Sequence, residues 1–245
     1  MGKNNVKRVS AAGKPFVSVC TPTYNRRKFI PYLIKNFLNQ TYPKYLIEWI
    51  VIDDGEDCVK DLFENIECVK YFRLEKKMKL GEKRNFMHSK CKGDILVYMD
   101  DDDYYPPERI NCAVNRLRSN PQALVAGSSK ILIYFKHIKK IYEFGPYGQN
   151  HATAGTFAFR KELLQQTSYD NNAECAEEKH FLKNYTIPLV QCNSEKTILV
   201  LSHAHNTYDK KKLLENPNPN FVRETGLKLK YIIKNKEIRD FYQSV

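Results

Sequence analysis

The chain has 245 residues, 42% of them hydrophobic and 28% charged, with a formal net charge of +12. That length and composition suit one soluble globular domain, or one domain with an appendage, and no apolar run approaches the roughly 18 residues of a membrane span. Seven scattered cysteines without a CxxC pair argue against a disulfide scaffold or a thiolate zinc site and for a reducing compartment. The basic excess suits either an anionic partner or a solvated surface. No zinc finger, RNP aromatic set or basic zipper is present, so a nucleic-acid partner is not expected.

The opening MGKNNVKRVSAAGKPF has no apolar h-region, and Val6 stands where myristoylation favours Ser or Thr, so residues 1–14 read as a flexible basic arm. FVSVC (16–20) predicts a short buried strand that ends at the turn-rich TPTYN. RKFIPYLIKNFLNQT (27–41) places Phe29, Leu33, Phe37 and Leu38 near helical spacing. YLIEWIVIDDG (45–55) and CVKYFRL (68–74) predict two more strands, the first closed by Asp-Asp-Gly. GEKRNFMHSKCKG (81–93) predicts a helix with Gly93 as its stop, DILVYM (94–99) a fourth strand, and PPERINCAVNRLRSN (106–120) a helix entered through prolines. Strands and helices alternating in this way predict a parallel, doubly wound sheet, whose ligand binds outside the carboxyl ends of the strands. TPTYN, DDG and DDDD all fall there.

Beyond residue 121 the pattern changes. ALVAGSSKILIYFKHIKKIYEFG predicts strands with a hairpin, HATAGTFAFRKELLQQT leads into a helix, and ECAEEKHFLKNY (174–185) predicts a short helix. TILVLSHAHNTYD predicts a strand leading to a histidine-bearing loop. The tail then continues as a basic amphipathic helix over about 221–242, with Leu227, Tyr231, Ile232 and Ile238 on a shared face. That helix is expected to pack on the domain, with peripheral membrane contact as the alternative.

Asp100, Asp101, Asp102 and Asp103 are consecutive, and carboxylates held so close raise one another's pKa unless a cation neutralises them. Hard oxygen ligands suit Mg2+ or Mn2+, which commonly combine one or two carboxylates with substrate phosphates. A calcium EF-hand fails, because counting from Asp100 its sixth position is Tyr105 and its twelfth Asn111. A lone aspartate before Pro106 would be read as a helix cap. If the metal carries phosphates, Lys79, Lys83 and Arg84 would meet a diphosphate, Asp53 or Asp54 would accept from a base or ribose, and Tyr24 would stack on a nucleobase. Walker A and GxGxxG sequences are both absent.

In this order, VSVCTPTYNRRKFIPYLIKNFLNQTYP, EWIVIDDGEDC and GEKRNFMHSKCKGDILVYMDDDDYYPPERI resemble glycosyltransferase family 2 of the GT-A fold, closely over residues 16 to about 120 and more weakly to about 210. The resemblance implies an α/β fold: a GT-A, Rossmann-like, mostly parallel central sheet flanked by helices, a smaller antiparallel part in the second half, and a C-terminal helix. It divides the chain into a catalytic domain over 15–215, with a nucleotide-sugar half (15–120) and an acceptor half (121–215), followed by a helical extension (216–245). Pro22, Thr23, Tyr24 and Asn25 would line the nucleotide pocket, with Asp54 the likelier of the Asp53/Asp54 pair to meet the base. Lys79 and Arg84 would lie near the nucleotide and its diphosphate. The DxD motif reads as Asp100-Asp101-Asp102, with Asp101 close to the ribose and Asp102 first, then Asp100, as metal ligand, although Asp103 leaves the register open by one.

The family's general base corresponds to Glu178, which has Phe181 three residues on, or second to Glu177. His203, in SHAHNTY, matches a further metal ligand or phosphate contact, with His205 second. The implied activity is a metal-dependent inverting transfer from a nucleotide-diphosphate sugar, UDP favoured by family habit, to the hydroxyl of a glycan, protein or lipid-linked acceptor. A sugar-phosphate nucleotidyltransferase would be expected to carry a Gly-rich first loop, which TPTYNRR lacks. A non-catalytic nucleotide-sugar or carbohydrate module of the same fold is the other alternative. The expected location is the cytosol or the cytosolic face of a membrane.

Overall fold

The computed structural model describes residues 13–174, 178–206 and 208–245. Its larger sheet grows from β1 (Val17–Thr23), which pairs in parallel with β2 (Ile47–Asp53) on one side and β4 (Ile95–Tyr98) on the other. β3 (Val69–Arg73) adds in parallel beyond β2. β8 (Ala158–Arg160) inserts antiparallel between β4 and β5 (Val125–Gly127), and β9 (Leu189–Gln191) closes the far edge. The resulting order is β3-β2-β1-β4-β8-β5-β9.

Every residue of β2 and β4 is buried, as strands covered on both faces require. Because side chains alternate across a strand, Val17, Val19 and Trp49 join one core with α1 (Ile30–Leu38) and α3 (Arg109–Ser119). Cys20, Ile50, Ile52, Leu96 and Tyr98 join the other with α2 (Leu80–Lys90) and α4 (Glu178–Phe181).

The smaller sheet has the order β10-β6-β7-β11. The expected hairpin is β6 (Ile131–Phe135) with β7 (Lys140–Phe144). β10 (Leu199–Ser202) runs parallel to β6, and β11 (Val222–Glu224) antiparallel to β7. Its apolar face (Leu132, Tyr134, Ile141, Leu199, Leu201) is covered by Leu229 of α5 (Leu229–Ile232), by Ile233, and by Ile238 and Tyr242 of α6 (Lys236–Ser244). The fold is therefore the α/β arrangement expected, with a large mostly parallel sheet, a smaller and mainly antiparallel one, and a C-terminal helix.

Four local expectations are corrected. Leu38 is 53% exposed, because the buried stripe of α1 is Ile30, Leu33 and Phe37 and the next residue lies about 100° round the helix. α2 ends at Lys90 and is capped by Cys91, ahead of Gly93, and Gly93 instead lies against the backbone of Ser18. After β8 the chain makes only a 3-10 turn over Lys161–Gln165, pinned by the Lys161 amide on the Asp94 carbonyl (2.9 Å) and by fully buried Leu163. The tail is not one helix: Asn235 starts α6 afresh, its side chain accepting from the Ile238 amide at 3.1 Å. Leu227 and Tyr231 consequently stay exposed while Ile238 is buried, so the shared face is not formed. No helix of the described residues is long and apolar enough to cross a membrane. The six described cysteines are free thiols.

Candidate active site

The four aspartates leave β4 as a tight turn, and the fold separates them. Asp103 faces the smaller sheet: its Oδ1 accepts the Leu201 amide at 2.8 Å, and its main-chain carbonyl accepts the Tyr242 hydroxyl at 2.9 Å. Burial, then the charge of Asp102, pushes its carboxyl up. Asp103 is thus a strut between the two sheets, and the first three aspartates are left to the open edge.

The Asp100 amide donates to the Tyr105 hydroxyl at 2.7 Å, and its Oδ1 lies 3.7 Å from the Arg84 guanidinium. Asp101 and Asp102 share Arg26, whose Nε is 3.6 Å from one carboxylate and whose Nη2 is 3.6 Å from the other. Asp102 Oδ2 also lies 3.3 Å from His203 Nε2 and 3.3 Å from Asn206 Nδ2. Burial and the adjacent Asp102 push Asp101 up to about 8, against the pull of Arg26. Burial would raise Asp102 as well, but His203, Lys210 and Arg26 outweigh it and hold that carboxyl at about 2.

This electrostatic arrangement tests the fit of a cation. Burial, with Asp102 alongside, is what holds the Asp101 carboxyl up, and a divalent cation beside these carboxylates would favour their charged forms. The donors, carboxylate oxygen with one imidazole, suit Mn2+ or Mg2+. No group of three or more His, Cys, Asp or Glu that could by itself hold a metal ion is found among the described residues.

At the ends of β1 and β2 the predicted nucleotide residues come together. Asn25 adopts a positive φ of 54° and its Oδ1 accepts the Asp57 amide at 3.2 Å. This brings its backbone so close to Gly55 that a Cβ there would fall 2.4 Å from the Asn25 nitrogen. Pro22 and Thr23 end β1, and the Thr23 carbonyl accepts from Lys83 Nζ at 3.3 Å. Tyr24 is half-buried, with Lys77 Nζ 4.3 Å and Lys83 Nζ 5.9 Å from its ring centroid.

Asp53 is spent internally on the Gly55 amide (2.9 Å), the Val59 amide (3.2 Å), the Tyr71 hydroxyl and Arg73. Asp54 accepts the Met78 amide at 2.8 Å and pairs with Lys83, both side chains buried. Lys79, at the start of α2, is half-exposed and 3.8 Å from Glu174. Arg84 lies one helical turn on, its guanidinium 4.5 Å from the Tyr98 ring centroid and 5.7 Å from that of Tyr169.

Glu178 opens α4, and its charge reaches the Tyr185 hydroxyl, which burial and that carboxylate together raise. Phe181 behind it stacks on Tyr169 at 4.4 Å, tying α4 to the ring that supports Arg84. Glu177 lies outside the described residues. His203 is buried against Phe29 (4.9 Å between ring centroids), whereas His205 meets the same ring edge-on at 6.2 Å and contacts Lys28. Sequence reasoning missed Arg26 and Asn206. Arg26 follows TPTYN directly, and its position after a strand end was the available signal. Asn206 stands in the SHAHNTY segment, three residues beyond His203.

Carboxylates just beyond β4 thus face two arginines and a histidine at one edge of the larger sheet. The chain belongs to glycosyl transferase family 2, whose model matches residues 18–168. An uncharacterized glycosyltransferase of Haemophilus influenzae is 26% identical over 119 residues, covering 46% of this chain and 47% of its own. Among solved structures, the mannosyltransferase PcManGT from Pyrobaculum calidifontis, in complex with GDP-Man and Mn2+, superposes with a TM-score of 0.64 at 15% identity, over 79% of this chain and 59% of that one. Staphylococcus aureus TarS in complex with UDP-GlcNAc gives 0.60 at 20% identity, over 78% and 59%. The chain thus spans about half of the Haemophilus relative and less than two thirds of each of these solved chains, and the structural likeness is one of fold.

Proposed function

We propose that the protein is a metal-dependent, inverting glycosyltransferase that moves a sugar from a nucleotide-diphosphate donor, UDP-linked by preference, to an acceptor hydroxyl. The observation that carries this reading is the pair Asp101 and Asp102, buried together just beyond β4 around one shared arginine, with burial and Asp102 pushing the Asp101 carboxyl up. Asp102 first, with Asp100 and His203, would hold Mn2+ or Mg2+, which when bound supplies charge neutralisation for a leaving diphosphate. Arg84, and Lys79 at the helix start, would meet the diphosphate oxygens. Tyr24 would lie against the base, with Pro22, Thr23 and Asn25 forming the wall. The internal bonds of Asp53 and Asp54 make them the scaffold of that wall, with Asp54 the nearer to the base. Asp101 would sit beside the ribose.

Glu178 would remove the proton from the acceptor hydroxyl as it attacks the anomeric carbon from the face opposite the leaving group, which inverts the centre. Neighbours solved with UDP-GlcNAc and with GDP-Man and Mn2+ support both the donor class and the cation. Turnover of a panel of UDP- and GDP-sugars with Mn2+, with the product anomer read by NMR, tests the proposal. Tight nucleotide binding with no turnover of any donor would instead establish a binding module.

A further inference from the structure

Four aromatic rings that play no part in the proposed donor site follow one another, beginning where the chain leaves β7 and enters β11. Phe221 stacks on Tyr147 with centroids 5.4 Å apart and planes at 30°. Tyr147 meets His151 at 5.1 Å, and His151 meets Tyr185 at 5.1 Å. The outer two rings remain open to solvent, Tyr147 at 45% and Phe221 at 37% exposure.

The row is rigidly mounted. The Gly145 amide donates to the Phe221 carbonyl at 2.8 Å, and the Tyr147 amide to the Ser129 carbonyl at 3.3 Å. The Gln191 side chain donates to the carbonyls of Gln149 and His151, both at 2.8 Å, and its amide oxygen accepts from Ser129. Exposed aromatic rings on a fixed frame are costly unless something covers them, and such patches mark ligand surfaces.

Both inner ends of the row lead to the proposed chemistry. Tyr185 lies within electrostatic reach of Glu178. The segment running on from His151 arrives at Gly155, where a Cβ would stand 3.2 Å from Asp100 Oδ2. The row therefore extends outward from the place where an acceptor hydroxyl must present itself. Pyranose rings offer apolar C–H faces that stack on aromatic rings, and hydroxyls that take up hydrogen bonds at their edges. His151 Nδ1, buried among these rings without a hydrogen-bond partner, is a polar atom of the kind such a site places between its aromatic surfaces. The row itself carries no formal charge, which suits a neutral glycan over a phosphorylated one.

We propose that Phe221, Tyr147, His151 and Tyr185 form a stacking platform for an uncharged oligosaccharide, the acceptor chain of the transferase reading on which this inference rests. The test is binding of the full chain to an array of defined, neutral, immobilised glycans, with UDP affinity measured in parallel. Wild type is expected to bind one or more glycans saturably. Tyr147→Ala/Phe221→Ala should lose that binding by about tenfold or more, Tyr147→Phe should keep it, and UDP affinity should be unchanged throughout. Glycan binding that survives the double substitution, or a wild type that takes up no neutral glycan, overturns the platform. Failure to bind UDP would strike the donor reading alone, since the glycan measurement decides the platform by itself.

Discussion

The Tyr242 hydroxyl donates to the main-chain carbonyl of Asp103 at 2.9 Å, so the last helix of the chain is bonded directly to the aspartate turn. Asn36 Nδ2 joins the same bond from α1, 3.2 Å from the Tyr242 oxygen and 3.4 Å from the Asp103 carbonyl. Phe241 beside it stacks on Tyr32 at 3.7 Å, so α6 remains docked without that bond. Tyr242→Phe is expected to cost about 1–2 kcal/mol, lowering the thermal midpoint by roughly 2–4 °C per kcal/mol for a domain of this size. An unchanged midpoint would show that the hydroxyl contributes nothing.

The division of the aspartate run predicts unequal tolerance. Asp103 acts as a hydrogen-bond acceptor and its carboxyl is held up by burial, so Asp103→Asn, which keeps an acceptor oxygen, should retain Mn2+-stimulated turnover within about tenfold. Asp102→Asn should lose it by about a hundredfold or more. Equal losses in the two variants would place the metal register one residue later.

Asp101 gives a pH signature. Its carboxyl titrates at about 8 in the fold, against 3.8 in its ordinary state. Between those values the native state holds a proton that the unfolded chain has released, so metal-free stability falls as pH rises through this window. Asp101→Asn removes the effect. Its midpoint should match wild type near about pH 4 and exceed it by a margin that widens as pH rises towards about 8. Asp102 works in the opposite sense, its stabilisation present above 3.8 and lost as pH falls through about 2. A midpoint difference for Asp101→Asn that does not change with pH would contradict the assignment.

Glu178→Gln should lower kcat by ~10²–10⁴ with the donor KM unchanged, as removal of a general base does. Glu177→Gln should stay near wild type. Reversal of the two would move the base by one residue.

The strand ends were legible because each buried apolar run, such as Ile50 to Ile52 or Leu96 to Met99, is followed at once by polar residues, and a sheet covered on both faces leaves such residues only at its edges. What the sequence concealed depended on partners far along the chain. Arg26 lies far along the chain from Asp101 and Asp102, which only the fold brings beside it. Asp53 reads as a ligand until the Tyr71 hydroxyl and two loop amides occupy it. The broken tail turned on Asn235, whose side chain caps α6 where a periodic reading continues one helix. The single helix expected after β8 failed because hydrophobic spacing does not register the Lys161–Asp94 backbone bond.

The closed pair of Asp54 and Lys83 has a consequence for salt. Both charges are buried and cancel one another at the nucleobase end of the proposed cleft, whereas the half-exposed Lys79 stands at the diphosphate end. Screening by mobile ions acts on exposed charge and leaves a buried, matched pair almost untouched. The cleft therefore has an end that answers to ionic strength and an end that does not: added salt should loosen its hold on a nucleoside diphosphate while leaving its hold on the bare nucleoside as it was.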